Sequence, residues 1–279
     1  MANKTLRLGH SPDPDDAFMF HALARDLIPT GRWRFEHVLQ DIQTLNERAL
    51  RAELHITAVS IHAYPHVMDK YALLNSGSSM GDRYGPMVVA SRPMDVESLR
   101  GKIIAVPGEM TTAFLTLNLL LGPGSFTHRV VMFDRIFEAI HAGDADAGLI
   151  IHEGQLTYQK ESLHKIVDLG QWWFEQTQLP LPLGGNCIRR DLGDANMREI
   201  AAILKRSIEY GLAHRREALE YALQFARDMG IELADRFVGM YVNQWTLDYG
   251  DEGRNAVREL LRRGADAGLV PEAGEIEFV

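Results

Sequence analysis

Short apolar runs alternate with stretches of helical spacing from the first residues to about residue 190, an order that predicts an α/β chain with a largely parallel sheet. LRLGH (6–10) reads as the opening strand. SPDPDD breaks it, and AFMFHALARDLI continues at helical spacing, with Phe18, Phe20, Leu23 and Leu27 as the apolar positions and Asp15 or Asp16 as cap and dipole partner. WRFEHVL predicts a second strand, and DIQTLNERALRAE a helix with Ile42, Leu45 and Ala49 inward. HITAVS is a third strand, and IHAYPHVMDK opens a helical segment interrupted by Pro65.

Beyond loop material in NSGSSMGDRYGP, PMVVASR and KIIAVPG read as strands, TTAFLTLNLLLG as a helix and RVVMF as a strand. DRIFEAIHAG is a helix capped by Asp134 and stopped by Gly143, and DAGLII a buried strand leading to His152. LPLGGNCIRR is extended again, and the chain from Asn196 is mostly amphipathic helix. Extended crossings near 85–92 and 180–190 bracket a compact βαβ-type unit. They predict a discontinuous lobe of residues 1–90 plus 186–279 and an inserted α/β lobe of residues 91–185, as a chain of 279 residues allows.

Composition narrows the function. With 46% hydrophobic and 24% charged residues, the chain has an ample core. A net charge of −9, with no basic stripe interleaved with aromatics, argues against a nucleic-acid partner. The single cysteine, Cys187, permits neither an internal disulfide nor a cysteine-based zinc cage. MANKTLRLGHSPDPDD lacks the features of a secretory signal, and no apolar run approaches the roughly 20 residues that cross a bilayer. A cytoplasmic protein without a membrane partner is expected.

In open α/β sheets ligands bind beyond the carboxyl ends of the strands. Four strands here end in polar or kinked segments: Ser11 to Asp16, Ser60, Gly108 to Thr112, and His152 with Glu153. Helix N-termini at such places favour an anion, and the hydroxyls of Ser60, Thr111 and Thr112 add donors, so a small carboxylate or phosphate is the expected guest. Each hydroxyl also has an ordinary reading as a helix cap. Asp13, Asp15 and Asp16 admit a cation site, but two prolines and no Gly-centred loop favour turn and cap. His152 follows the apolar run Ala147 to Ile151, so it is either a proton-transfer group at the mouth of a buried strand or a hydrogen-bonded core histidine. Glu153 is not expected to orient it, because adjacent strand residues point to opposite faces. Trp172 and Trp173 offer rings to an aromatic ligand, but read better as packing residues between lobes.

These segments carry a resemblance. SPDPDDAFMFHAL, DIQTLNERAL, ITAVSIHAY, GPMVVA and AVPGEMTTAF resemble the 1,4-dihydroxy-6-naphthoate synthase family of menaquinone biosynthesis. So do FDRIFEAIHAGDADAGLIIHEGQLTY, VDLGQWWFEQTQLPLPLG, RRDLG and YVNQWTLDYG, and the likeness covers nearly the whole chain. It implies a two-lobed, type II periplasmic-binding-protein-like fold with a ligand cleft between lobes. It implies His152 as catalytic base, and Asp16, Ala58, Val59, Ser60, Thr111, Thr112 and Ala113 against the substrate. The implied reaction converts cyclic de-hypoxanthine futalosine to 1,4-dihydroxy-6-naphthoate and dihydroxyacetone, with neither metal nor organic cofactor. The family commonly has Asn at position 15 and Lys at position 58; Arg83 or Lys102 are the candidates to restore positive charge. Two other readings stand beside it: chorismate dehydratase of the same pathway, and a non-catalytic carboxylate-binding protein.

Overall fold

Strand β1 (Lys4–His10) buries Leu6 and Leu8 and takes β2 (Trp33–Leu39) and β3 (Ile56–Ser60) as parallel neighbours. All five residues of β3 are buried, because β3 lies between β1 and the antiparallel β11 (Leu181–Arg189). β4 (Tyr71–Leu73) completes the order β2-β1-β3-β11-β4. This computed structural model describes residues 4–225 and 230–279. The chain divides into two units. Unit 1 is Met1–Ser79, Gly184–Asp251 and Gly274–Val279, and unit 2 is Met80–Leu183 and Glu252–Ala273. The short β5 (Ser79–Gly81) lies at the first change of unit.

In unit 1, α1 (Pro14–Ala24) packs on α7 (Asp194–Ala213), α8 (Arg215–Ala222) and α9 (Ile231–Tyr241), around a core that includes Phe18, Phe20, Trp33, Ile200, Leu204 and Val238. α2 (Ile42–Leu50) follows β2 and is capped by Asp41, whose carboxylate accepts from Thr44 N–H at 3.0 Å. The short α10 (Gln244–Leu247) leads into α11 (Gly250–Asp266), which belongs to unit 2 from Glu252.

Unit 2 carries a second sheet in the order β10-β6-β9-β7-β8. Its strands are β6 (Met87–Ala90), β7 (Ile103–Val106), β8 (Thr127–Val130), β9 (Ala147–Ile150) and β10 (His164–Asp168). The helices α3 (Thr112–Leu121), α4 (Ile136–His141), α5 (Gly154–Thr157) and α6 (Leu169–Thr177) accompany it. No helix among the described residues is long and apolar enough to cross a membrane.

The structure departs from the expected pattern in several places, and one is the cap of α4: Asp134 lies within a 3₁₀ turn, Phe133–Arg135, and Arg135 takes the N-cap position. Both sheets are mixed rather than largely parallel: β11 opposes β3 and β4, and β6 opposes β9 and β10. The unit change falls at 79/80, not 90/91, because Met87–Ala90 pairs with β9 and β10; residues 252–273 also join unit 2, where the Arg263 guanidinium lies 5.2 Å from the Trp173 ring. α1 ends at Ala24 and leaves Leu27 outside it, with Asp13 rather than Asp15 or Asp16 at the N-cap position. IHAYPHVMDK forms only a 3₁₀ turn, Tyr64–His66, with Pro65 in its first turn. Strand β10 had no counterpart in the pattern, since its residues are exposed or half-buried at the sheet edge and give no apolar run.

Candidate active site

In unit 1, the parallel pairing of Leu8 with Ile56 sets the C-terminal ends of β1 and β3 on one edge. The Ser11 turn and Ser60 lie there. Ser11 N–H donates to Asp16 Oδ2 at 2.7 Å, and Asp13 N–H donates to Ser11 Oγ at 2.8 Å. Burial pushes the Asp16 carboxyl up to about 7, against the Ser11 N–H bond that favours its charge. Asp15 beside it is raised as well, first by burial and then by Asp16.

That proton links stability to pH. The native chain holds it more tightly than an unfolded one, so its stabilisation is complete below about pH 3.8 and is lost as the pH rises through about 7. Asp16→Asn keeps the acceptor for Ser11 N–H and removes the titration. The variant's melting temperature is expected to fall less than that of the parent between about pH 5 and pH 7.5. Parallel curves for the two proteins would remove this assignment.

A buried histidine pair holds the same turn. His10 Nδ1 lies 2.8 Å from the Ser11 carbonyl and His10 Nε2 lies 3.0 Å from His37 Nδ1. Burial lowers the two groups to about 3 and about 4, so both rings are neutral at pH 7. A carbonyl only accepts, so Nδ1 of His10 carries the proton. Its Nε2 then accepts from His37 Nδ1–H, and each tautomer is fixed by the next.

Ala58, Val59 and Ser60 end β3 as expected, paired with Asn186, Gly185 and Gly184. Val59 alternates to the opposite face from its two neighbours, so only its backbone shares their side. Ser60 is braced by Asn46 of α2: Asn46 Nδ2 donates to Ser60 Oγ at 3.0 Å, and Ser60 N–H donates to Asn46 Oδ1 at 2.8 Å. With the amide donating to it, the Ser60 hydroxyl directs its own proton elsewhere, which orients it as a donor. The pattern missed Asn46, although it carried a signal: a polar residue four places after Ile42 and three before Ala49 lies on the face the helix buries.

In unit 2, β7 and β9 are parallel (Ile104 with Ala147, Ala105 with Gly148), so their C-terminal ends also share an edge. Thr111 caps α3, its Oγ1 accepting from Phe114 N–H at 3.2 Å and donating to the Gly108 carbonyl at 2.8 Å. The Thr112 hydroxyl donates to the Leu183 carbonyl at 2.5 Å. Both hydroxyl protons therefore serve the fold. The first intrahelical donor of α3 is Leu115 N–H, to Thr111 O, so the positive end of the helix dipole lies at Thr112 and Ala113.

β9 ends at Ile150, so His152 and Glu153 lie in the turn entering α5 rather than on the strand. His152 is buried, its imidazole between the rings of Phe133 (5.5 Å) and Phe137 (6.0 Å). Gly154 N–H donates to Nδ1 at 2.9 Å, and Nε2 lies 2.9 Å from the Phe133 carbonyl. The neutral ring is thus the Nε2–H tautomer with both nitrogens bonded inside unit 2, not an imidazole held bare at a strand mouth. Glu153 Oε2 approaches Nδ1 to 3.6 Å, which corrects the expectation that strand alternation keeps the two apart.

The other candidates are structural. Trp173 is fully buried and donates Nε1–H to the Pro180 carbonyl at 3.1 Å. Arg83 stacks over Phe174 at 4.4 Å, and Lys102 pairs with Asp146 at 3.7 Å. No group of three or more His, Cys, Asp or Glu side chains among the described residues is arranged to hold a metal ion.

Two α/β units, each with a mixed sheet, make up a fold of the periplasmic-binding-protein-like kind. A solved Candida albicans protein, described as exhibiting the generic periplasmic binding protein fold, matches with a TM-score of 0.72 and 16% identity over 98% of this chain and 93% of that one. The chain belongs to the menaquinone biosynthesis family, whose model matches residues 6–266. It is 41% identical to 1,4-dihydroxy-6-naphthoate synthase of Thermus thermophilus over 276 residues, 99% of this chain and 100% of that one. The crystal structure of protein AF1704 from Archaeoglobus fulgidus matches with a TM-score of 0.91 and 44% identity, covering 95% of this chain and 98% of that one.

Proposed function

We propose that the protein is a 1,4-dihydroxy-6-naphthoate synthase, a carbon–carbon lyase of the cytoplasm that converts cyclic de-hypoxanthine futalosine to 1,4-dihydroxy-6-naphthoate and dihydroxyacetone. The observation that carries this reading is the end-to-end likeness to the Thermus thermophilus enzyme. In this reading each residue has a chemical role. His152 is the base that takes a proton from the sugar-derived part of the substrate, and formation of the aromatic naphthoate drives the cleavage. The carboxylate is met by the N–H groups that open α3, where the helix dipole favours negative charge. Asp16, Ala58, Val59 and Ser60 complete the set of substrate-contacting residues in this proposal.

Because Gly154 N–H occupies the lone pair of Nδ1, the substrate's proton must displace that bond for His152 to act. The decisive experiment is incubation of the purified protein with cyclic de-hypoxanthine futalosine and detection of products by mass. Both products are expected. Tight binding without product would instead favour a non-catalytic carboxylate-binding protein, and turnover of chorismate alone would favour chorismate dehydratase.

A further inference from the structure

The tautomer of His152 determines which nitrogen does the work. Nε2 is committed as a donor to the Phe133 carbonyl, so Nδ1 is the atom that receives a proton. The resulting imidazolium can no longer accept from Gly154 N–H, and it carries a positive charge in a nearly closed setting. The Phe133 carbonyl already takes the Nε2 proton, and the Phe133 and Phe137 side chains present aromatic rings that carry no formal charge. The charged residues on that segment, Asp134, Arg135 and Glu138, are exposed, and Arg135 pairs with Glu138 at 2.7 Å. From α5, Gln155 turns its amide to the Ile150 carbonyl. Glu153 is different: its Oε2 lies 3.6 Å from Nδ1, and the two side chains are 16% and 10% exposed.

Resting on the reading of His152 as base, we propose that Glu153 is a positioning residue whose carboxylate holds the His152 imidazolium formed when Nδ1 takes the substrate's proton. In that step the substrate's bond to hydrogen breaks and leaves its electron pair on the substrate. The N–H bond forms at Nδ1, and Glu153 stays ionised throughout. The neutral ring is held by Gly154 N–H and the charged ring by Glu153, so the same nitrogen has a partner in both states.

The test has two readouts on Glu153→Gln and Glu153→Asp. The first is the ¹⁵N NMR titration of His152 in the substrate-free protein, which is independent of turnover. The second is kcat/KM against pH. An opposite charge at this range raises an imidazole by about one unit or more. Glu153→Gln is therefore expected to lower the His152 midpoint by about one unit and carry the acid limb of kcat/KM with it. It is also expected to reduce kcat about tenfold with little change in KM, as for a group acting through the transition state rather than on binding. Glu153→Asp keeps the charge one methylene further away and is expected to shift the midpoint in the same direction by less. An unmoved midpoint in both variants, with His152→Ala still inactive, overturns the role of Glu153. Full turnover by His152→Ala overturns the underlying assignment instead.

Discussion

His152→Ala is expected to lower turnover by a factor of about 10² to 10⁴, the span a positioned acid–base group supplies, while the protein still binds its ligand. The ring is not part of the proposed anion-binding element: Thr112 and Ala113 open α3, whereas His152 lies in the turn entering α5. Removing it also leaves Gly154 N–H and the Phe133 carbonyl without their ring partners, a loss of about 1–3 kcal/mol in a buried setting. A melting curve must therefore accompany the kinetics. A folded variant that binds in calorimetry and makes no product meets the expectation. A variant that turns over as fast as the parent contradicts it.

A larger structural effect is expected from Gly170→Ala. Gly170 is the second residue of α6, and a Cβ there would come to 1.9 Å from the Tyr84 carbonyl oxygen, 2.1 Å from its carbon and 2.6 Å from Gly85 N. These are backbone atoms, so no side chain can swing aside. The helix start cannot retreat freely either. Leu169 N–H donates to the Pro86 carbonyl at 2.8 Å, and Asp168 Oδ1 accepts from Gly170 N–H at 2.9 Å and Gln171 N–H at 3.1 Å. The expected cost is about 3 kcal/mol or more, at the upper end for overpacking. For a chain of this size that is a fall in melting temperature on the order of 10 °C. A shift of only a degree or two would show that the loop before β6 gives way, contrary to this reading.

Much of the architecture was legible because the strongest signals were local. ITAVS and KIIAV are apolar runs of strand length, and they form β3 and β7. Thr111 heads an apolar helical run and caps α3. Strand direction was not legible, since nothing within LPLGGNCIRR states whether it runs with or against β3; that is decided by where the intervening chain returns. The site divided in the same way. Asp16, Ser60 and His152 stand where strands give way to turns, and that position could be read from the apolar runs before them. Asn46 and Glu153 meet their partners fourteen residues away or around a turn, and such contact geometry has no period in the chain.

The division of the two sheets along the chain has a consequence for synthesis. Every strand of the unit 2 sheet has been synthesised once residue 168 is made, and its pairings all lie within residues 87–168. The unit 1 sheet starts earlier but waits for β11, and its edge is finished last of all, when Leu73 and Asn75 exchange backbone hydrogen bonds with Glu277 and Val279. The first-made strands thus stay incomplete longest. Loss of even the final few residues from a nascent or clipped chain would leave the β4 edge of the older sheet open to wrong partners.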